Sequence, residues 1–281
     1  MLRSVMVPTD FTDESSLILR FVPGLAELGT RRVVLGHVVE ASGMEGPIIA
    51  AMVDRAREQI RQMAAPLAEA GLDVEVRVGA GDPAQGLIGI AHETHVNAMV
   101  CGTHGKGLLT KLFAGSVSEQ IALEANVPVM LVRFDLLRTK DDPAQVARSF
   151  GRSLILPTDF SSSSTRALLG VLDLPPRALG TVYLVHAADE GLDPDKLAKA
   201  QTGAEFHLGN LRAMAEEHGV VARCVIREGD PTRTVLREAN ERRATGIVVG
   251  TRGRNLLQEA VLGSTSMTLM RQASCPVMIV P

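Results

Sequence analysis

The chain repeats itself. "VPTDF" at 7–11 returns as "LPTDF" at 156–160, 149 residues on. Gly81-Asp82-Pro83 returns as Gly229-Asp230-Pro231, "VCGTHG" at 100–105 as "VVGTRG" at 248–253, and "VPVMLV" at 127–132 as "CPVMIV" at 275–280, each 148 residues on. Four anchors in one order at nearly constant spacing mark a tandem duplication. Whatever fold the first half adopts, the second must adopt as well. The 281 residues then divide into two units of ordinary domain size.

Each copy alternates short apolar runs with helical patterns, the signature of βαβ units around a parallel sheet. The first copy reads as strands near 4–7, 32–39, 73–78, 97–101 and 127–132. The second reads as strands near 153–157, 181–186, 221–227, 246–249 and 276–280. Between them, the stretch 50–71 has apolar residues at helical spacing and closes on Gly71, a natural C-terminal cap. Right-handed crossovers place helices on both faces of each sheet. The fold class is therefore α/β, with two tandem doubly wound domains. These are expected at 1–135 and 152–281, joined by a linker at 136–151 that is charged and contains Pro143.

Glycine usage singles out one loop in each copy. Gly102 is followed at fixed spacing by Gly105, Gly115 and Ser116, and Gly250 is followed at the same spacing by Gly253, Gly263 and Ser264. Gly102 and Gly250 each close an apolar strand, where open α/β sheets bind ligands. Glycines let main-chain N–H groups approach an anion without a Cβ in the way. Gly115-Ser116 and Gly263-Ser264 open helical patterns, whose N-termini attract negative charge. Taken singly, each loop is explained by turns and caps; the shared three-glycine spacing weighs against that. Ser116 also begins a capping box with Glu119, whereas Met267 holds the corresponding place in copy two, so Ser264 is the cleaner phosphate donor.

The G-x2-G-x9-G-S spacing, the "PTDF" after the first strand and the "GDP" before a helix together resemble the universal stress protein family. More narrowly they resemble its ATP-binding branch in tandem form, over essentially the whole chain. The resemblance implies a five-stranded parallel sheet in the order 3-2-1-4-5 and a stress-response role. It also implies an adenine nucleotide (ATP, ADP or AMP) at the strand ends of each domain, and leaves open whether Mg²⁺ accompanies it. Carried over by motif, Pro8, Thr9 and Asp10 border adenine and ribose, and Val38 offers main-chain groups to the adenine edge. Cys101 and Gly102 line the ribose side, while Gly105, Gly115, Ser116, Val117 and Ser118 cradle the phosphates. Copy two supplies Pro157, Thr158, Asp159, Ala187, Val249, Gly250, Gly253, Gly263, Ser264, Thr265 and Ser266. Ala187 departs from the usual β-branched residue. Arg252 and Arg254, against His104 and Lys106, make the second phosphate end more cationic. Family members pair through their fifth strands, which implies an intramolecular pseudo-dimer of "VPVMLV" with "CPVMIV", or a homodimer, presenting a surface to an unidentified protein partner.

Other signals exclude alternatives or remain structural. The net charge of −3, the lack of a basic run and an aromatic content of 3 % argue against nucleic acid or anionic membrane as partners. No apolar run reaches the roughly 20 residues that cross a bilayer. Cys101, Cys224 and Cys275 are isolated in apolar runs, as buried thiols in a reducing, cytoplasmic compartment would be; the place of Cys101 beside Gly102 leaves a redox role open. Asp10 and Asp159 suit turns that cap the next helix, and Asp82 and Asp230 with their prolines suit helix starts. His92 and His95 stand in HExH, not the HExxH of zinc proteases. His37 and His186 close the second strand of each copy as packing histidines. There is no P-loop and no residue evidently placed to activate water, so hydrolysis of ATP is expected to be weak at most.

Overall fold

The computed structural model describes residues 1–103, 117–188, 190–191, 193–251 and 263–281. It divides into two compact units, Met1–Arg148 and Ser149–Pro281. The first runs through β1 (Ser4–Pro8), α1 (Asp13–Phe21), a 3-10 turn (Val22–Leu28), β2 (Arg32–Glu40), α2 (Gly46–Glu69) and β3 (Asp73–Gly81). It continues with α3 (Pro83–Glu93), β4 (Ala98–Thr103), α4 (Val117–Glu124), β5 (Val129–Arg133), α5 (Phe134–Arg138) and α6 (Pro143–Ser149). The strands pair in parallel in the order β3-β2-β1-β4-β5.

The second unit repeats the plan. It comprises β6 (Ser153–Pro157), α7 (Ser162–Leu172), β7 (Thr181–Ala188), α8 (Pro194–Glu217) and β8 (Val221–Glu228), then α9 (Pro231–Glu241), β9 (Gly246–Gly250), α10 (Ser264–Gln272) and β10 (Val277–Val280). Its parallel order is β8-β7-β6-β9-β10, again 3-2-1-4-5 counted within the copy. The central strands are buried almost end to end, as sheets covered on both faces must be. The expected strands agree to within three residues at each end. The long helix begins earlier than its periodicity suggested, at Gly46, and Gly71 beyond its end takes φ +84°.

The segment 136–151 holds more structure than its composition suggests. α5 and α6 lie within and beside it, and Leu137, Ala147 and Phe150 are fully buried. Arg138 pairs with Glu14 of α1, and Arg20 donates to the Asp141 carbonyl at 2.9 Å. Each helix is too short to show periodicity, and the charges that made the segment look solvated are used in these contacts.

The copies differ most beneath α3 and α9. In the first, Ile90 of α3 faces Gly79 of β3 across an apolar contact. In the second, Glu238 takes the place of Ile90 and Arg227 that of Gly79. Glu238 has no exposed side-chain surface, and it accepts from Arg227 Nε at 2.9 Å and Arg242 Nη2 at 3.2 Å. The Arg242 guanidinium lies 4.8 Å over the Tyr183 ring. Glu238 is the buried member, Arg227 and Arg242 being 42 % and 32 % exposed, so it is loss of the guanidiniums that strands a charge, and the double variant Arg227→Ala/Arg242→Ala should cost about 3–5 kcal/mol. Ile90→Ala should cost about 2–5 kcal/mol through a cavity alone. Urea denaturation of the two variants, repeated in high salt, separates the mechanisms, because only the second unit's loss involves charge.

Both α3 and α9 are followed by a non-glycine residue in the left-handed region, His95 at φ +50° and Arg243 at φ +48°. Glycine is the usual residue at this position, where a Cβ is strained by roughly 1–2 kcal/mol. His95→Gly and Arg243→Gly are therefore each expected to raise stability by about 0.5–1 kcal/mol, the gain being reduced by the freedom glycine adds to the unfolded chain. The readout is a higher denaturant midpoint at unchanged slope.

Candidate functional site

The turn that follows the first strand has the same backbone hydrogen bonds in the two units. After β1 the chain leaves the sheet through Thr9, whose N–H donates to the Gly36 carbonyl at 2.9 Å. After β6, Thr158 does the same to Val185 at 2.8 Å. The buried Thr9 hydroxyl accepts from Phe11 N at 3.2 Å and donates to Ser15 Oγ at 3.0 Å. Thr158 repeats this with Phe160 N at 3.0 Å and Ser164 Oγ at 3.0 Å. Both threonine side chains are thus engaged with the next helix, and what the turn exposes is Asp10 and, half-buried, Asp159.

The aspartates make the turn, while the caps come from their neighbours. Asp10 Oδ1 accepts from Thr12 N at 3.1 Å and Thr12 Oγ1 at 2.6 Å, and Thr12 closes the start of α1. Asp159 Oδ1 accepts from Ser161 N at 3.0 Å, and Ser161 closes α7. Asp82 and Asp230 cap α3 and α9 directly, accepting from Gln85 N at 2.8 Å and Arg233 N at 2.9 Å.

A histidine and a phenylalanine hold each turn. Phe11 and Phe160 adopt φ +66° and +64°, a region that a bulky side chain seldom enters. His37 and His186 donate Nδ1–H to the Thr9 and Thr158 carbonyls at 2.8 and 2.9 Å. Their rings lie 4.3 and 4.5 Å from those of Phe11 and Phe160. These histidines are more than packing residues: they tie the second strand to the turn after the first, in a backbone shape that needs support. The only signal for this in the sequence is the recurrence of Phe and His at one shared offset.

Strand alternation gives Val38 and Ala187 their interest. Gly36 and Val185 spend their carbonyls on Thr9 and Thr158, where β1 and β6 end. Two residues on, the N–H and C=O of Val38 and Ala187 point the same way, toward a neighbour that has turned aside. Their side chains differ in a compensated manner. Val38 packs onto Gly86, whose hypothetical Cβ would stand 2.8 Å from Val38 Cγ2. In copy two Ala187 holds the place of Val38 and the buried Thr234 that of Gly86.

The fourth strands carry Gly102 one residue before the end of β4 and Gly250 at the end of β9, and packing alone requires glycine there. A Cβ on Gly102 would lie 2.1 Å from Phe134 Cε1, and one on Gly250 2.3 Å from Ser163 Oγ. Ser118 and Ser266 donate their hydroxyl hydrogens back to the Gly102 and Gly250 carbonyls at 2.7 and 3.0 Å. This fastens the first turns of α4 and α10 beside the strand ends. It leaves the main-chain N–H groups, not these two hydroxyls, to meet a ligand. Gly263 precedes α10 without a side-chain cap, unlike the residues before α1, α3, α7 and α9. Pro8, Pro157, Cys101, Val249, Val117, Ser264 and Thr265 lie at these same ends. Gly105, Gly115, Ser116 and Gly253, with His104, Lys106, Arg252 and Arg254, fall outside the described residues.

Cysteine chemistry corrects one expectation. Cys101 and Cys275 are buried, and burial pushes both thiols up to about 12. A thiol that stays protonated at neutral pH is neither nucleophile nor redox centre, so Cys101 serves packing. Cys224, expected to be buried, is exposed on β8, donates to the Leu208 carbonyl at 3.5 Å and is pushed up mainly by partial burial. A thiol-reactive dye at pH 8 should therefore label one cysteine per native chain and three after denaturation. Prompt native labelling of Cys101 would contradict the burial. His92 and His95 are exposed with ring centroids 6.4 Å apart, and no group of three metal-type side chains occurs among the described residues.

Two tandem doubly wound modules, each with a built turn at the carboxyl end of its first strand, define a class of α/β protein that binds small ligands at its strand ends. The match to known proteins narrows it: the model of the universal stress protein family fits residues 1–133 and again 152–281, and the chain belongs to that family. A universal stress protein of Mycolicibacterium smegmatis is 26 % identical over 294 residues, covering 98 % of this chain and 96 % of that one. One of Methanocaldococcus jannaschii is 23 % identical over 155 residues, 47 % of this chain and 96 % of its own. The crystal structure of a universal stress protein from Archaeoglobus fulgidus superimposes with a TM-score of 0.75 at 23 % identity, covering 99 % and 98 % of the two chains. Among the described residues no helix is long and apolar enough to cross a membrane.

Proposed function

We propose that each unit binds one adenine nucleotide (ATP, ADP or AMP) at the carboxyl end of its sheet, and that occupancy, with little or no hydrolysis, governs a surface offered to a protein partner under stress. The observation that carries this reading is the uncapped start of α10. Its N-cap residue is Gly263, among the described residues no side chain caps it, and its first turn is held beside Gly250 by the Ser266 hydroxyl. Such a terminus favours phosphate through its free N–H groups and its dipole. The open main-chain pair of Val38, and of Ala187 in copy two, suits the edge of adenine, which offers one acceptor and one donor side by side. Asp10 and Asp159 stand where ribose hydroxyls would donate. In the first unit the Thr103 hydroxyl is buried with no partner among the described residues, one residue beyond Gly102. An oxygen-rich ligand there would satisfy it.

Two experiments test the reading. Native mass spectrometry with added ATP should show two nucleotides per chain, and the melting temperature should rise with ligand concentration by mass action. Ser264→Asp places a charge at the first turn of α10, where it stabilises the helix by about 0.3–1 kcal/mol yet repels phosphate. The expected outcome is an unliganded melt unchanged or slightly raised, with one of the two ATP sites weakened at least tenfold. Ser264→Ala, which removes a donor without adding a charge, should weaken that site less than Ser264→Asp; no loss in either variant contradicts a phosphate at this terminus.

A further inference from the structure

The two strand ends share a backbone but not a set of rings. In the first unit Phe11 meets the ring of His37 and, among the described residues, no other. In the second, Phe160 meets His186 at 4.5 Å and also His207 at 5.0 Å, each inclined by 31°. His207 in turn meets Phe206 edge-on, with centroids 5.7 Å apart and planes at 71°. The places of Phe206 and His207 are held in the first copy by Glu58 and Gln59. The rings therefore run from the half-buried turn after β6 out to the surface of α8, where His207 is exposed and Phe206 is 66 % exposed. Folding gains little from a phenylalanine left that far in water.

We propose that the second unit holds the purine base of its ligand by stacking on the rings of Phe160, His207 and Phe206. On that basis it takes nucleosides as well as nucleotides, whereas the first unit requires the phosphates. This rests on the nucleotide reading above. Stacking on an aromatic face draws on the base alone, so its contribution survives loss of the phosphates. The first unit, with Glu58 and Gln59 and no ring on α2 at the equivalent places, lacks that contribution.

The test uses the full chain with adenosine, ATP and inorganic tripolyphosphate, measured by titration calorimetry and native mass spectrometry. The wild type should bind one adenosine and two ATP. The F206A/H207A variant, altered only at exposed positions, should melt as the wild type does when unliganded. It should lose adenosine affinity by roughly tenfold or more and weaken one ATP site alike, the range expected for a lost base–aromatic stack, with tripolyphosphate binding unchanged. The converse variant E58F/Q59H should create a second adenosine site. Two adenosines bound to the wild type, none bound, or adenosine bound as tightly after F206A/H207A overturns the stacking proposal while leaving two-site ATP binding in place. A wild-type chain that binds no ATP overturns the nucleotide reading and this inference with it.

Discussion

A parallel sheet covered on both faces spends its main chain sideways. In β1, β4, β6 and β9 the backbone groups pair with neighbouring strands, and the side chains are buried on either side. Polar chemistry is thereby confined to the strand ends, and within these to the carboxyl ends, where helices begin and free N–H groups gather. Both copies place their turns, their histidines and their uncovered main-chain pairs there. The duplication repeated a sheet whose geometry leaves, in each copy, one place for polar chemistry.

The turn after the first strand shows how such a place is kept in shape. A phenylalanine in the left-handed region costs energy and would relax if unsupported. Support arrives from three directions: a threonine hydroxyl on its N–H, an imidazole face against its ring, and the same imidazole bonded to the preceding threonine carbonyl. The second copy reproduces all three contacts. Because the imidazole belongs to the second strand and the phenylalanine to the turn after the first, the clamp also fixes how far the aspartate between them stands from the sheet edge.

Much of this was legible in the sequence, and the rest was hidden for identifiable reasons. Apolar runs bounded by turn residues gave the ten strands, because burial on both faces leaves little room for polar interruptions. Gly102 and Gly250 were legible as special positions but for an incomplete reason: the close approach of Phe134 and Ser163 requires glycine before any ligand does. The helix caps went to Thr12 and Ser161 where the aspartates two residues earlier were expected, since a carboxylate folded into a turn and a hydroxyl capping a helix use similar residues at adjacent places. α5 and α6 escaped notice because five and seven residues cannot display a helical period. The aromatic neighbours of Phe160 depend on where α8 passes the strand ends, which is a property of packing and not of spacing.

The salt-bridged carboxylate beneath α9 bears on how a chain with two similar halves folds correctly. Repeated modules risk assembling with the wrong copy's parts. If α9 settled on β3, Glu238 would come to rest over Gly79, where no guanidinium waits, and its charge would be stranded out of water. If α3 settled on β8, Ile90 would leave Arg227 without its acid. The first mismatch is penalised through desolvation, since Glu238 has no exposed side-chain surface, and the second forfeits the ion pair, so a few divergent positions beneath one helix give each half a mark of ownership over its own segments.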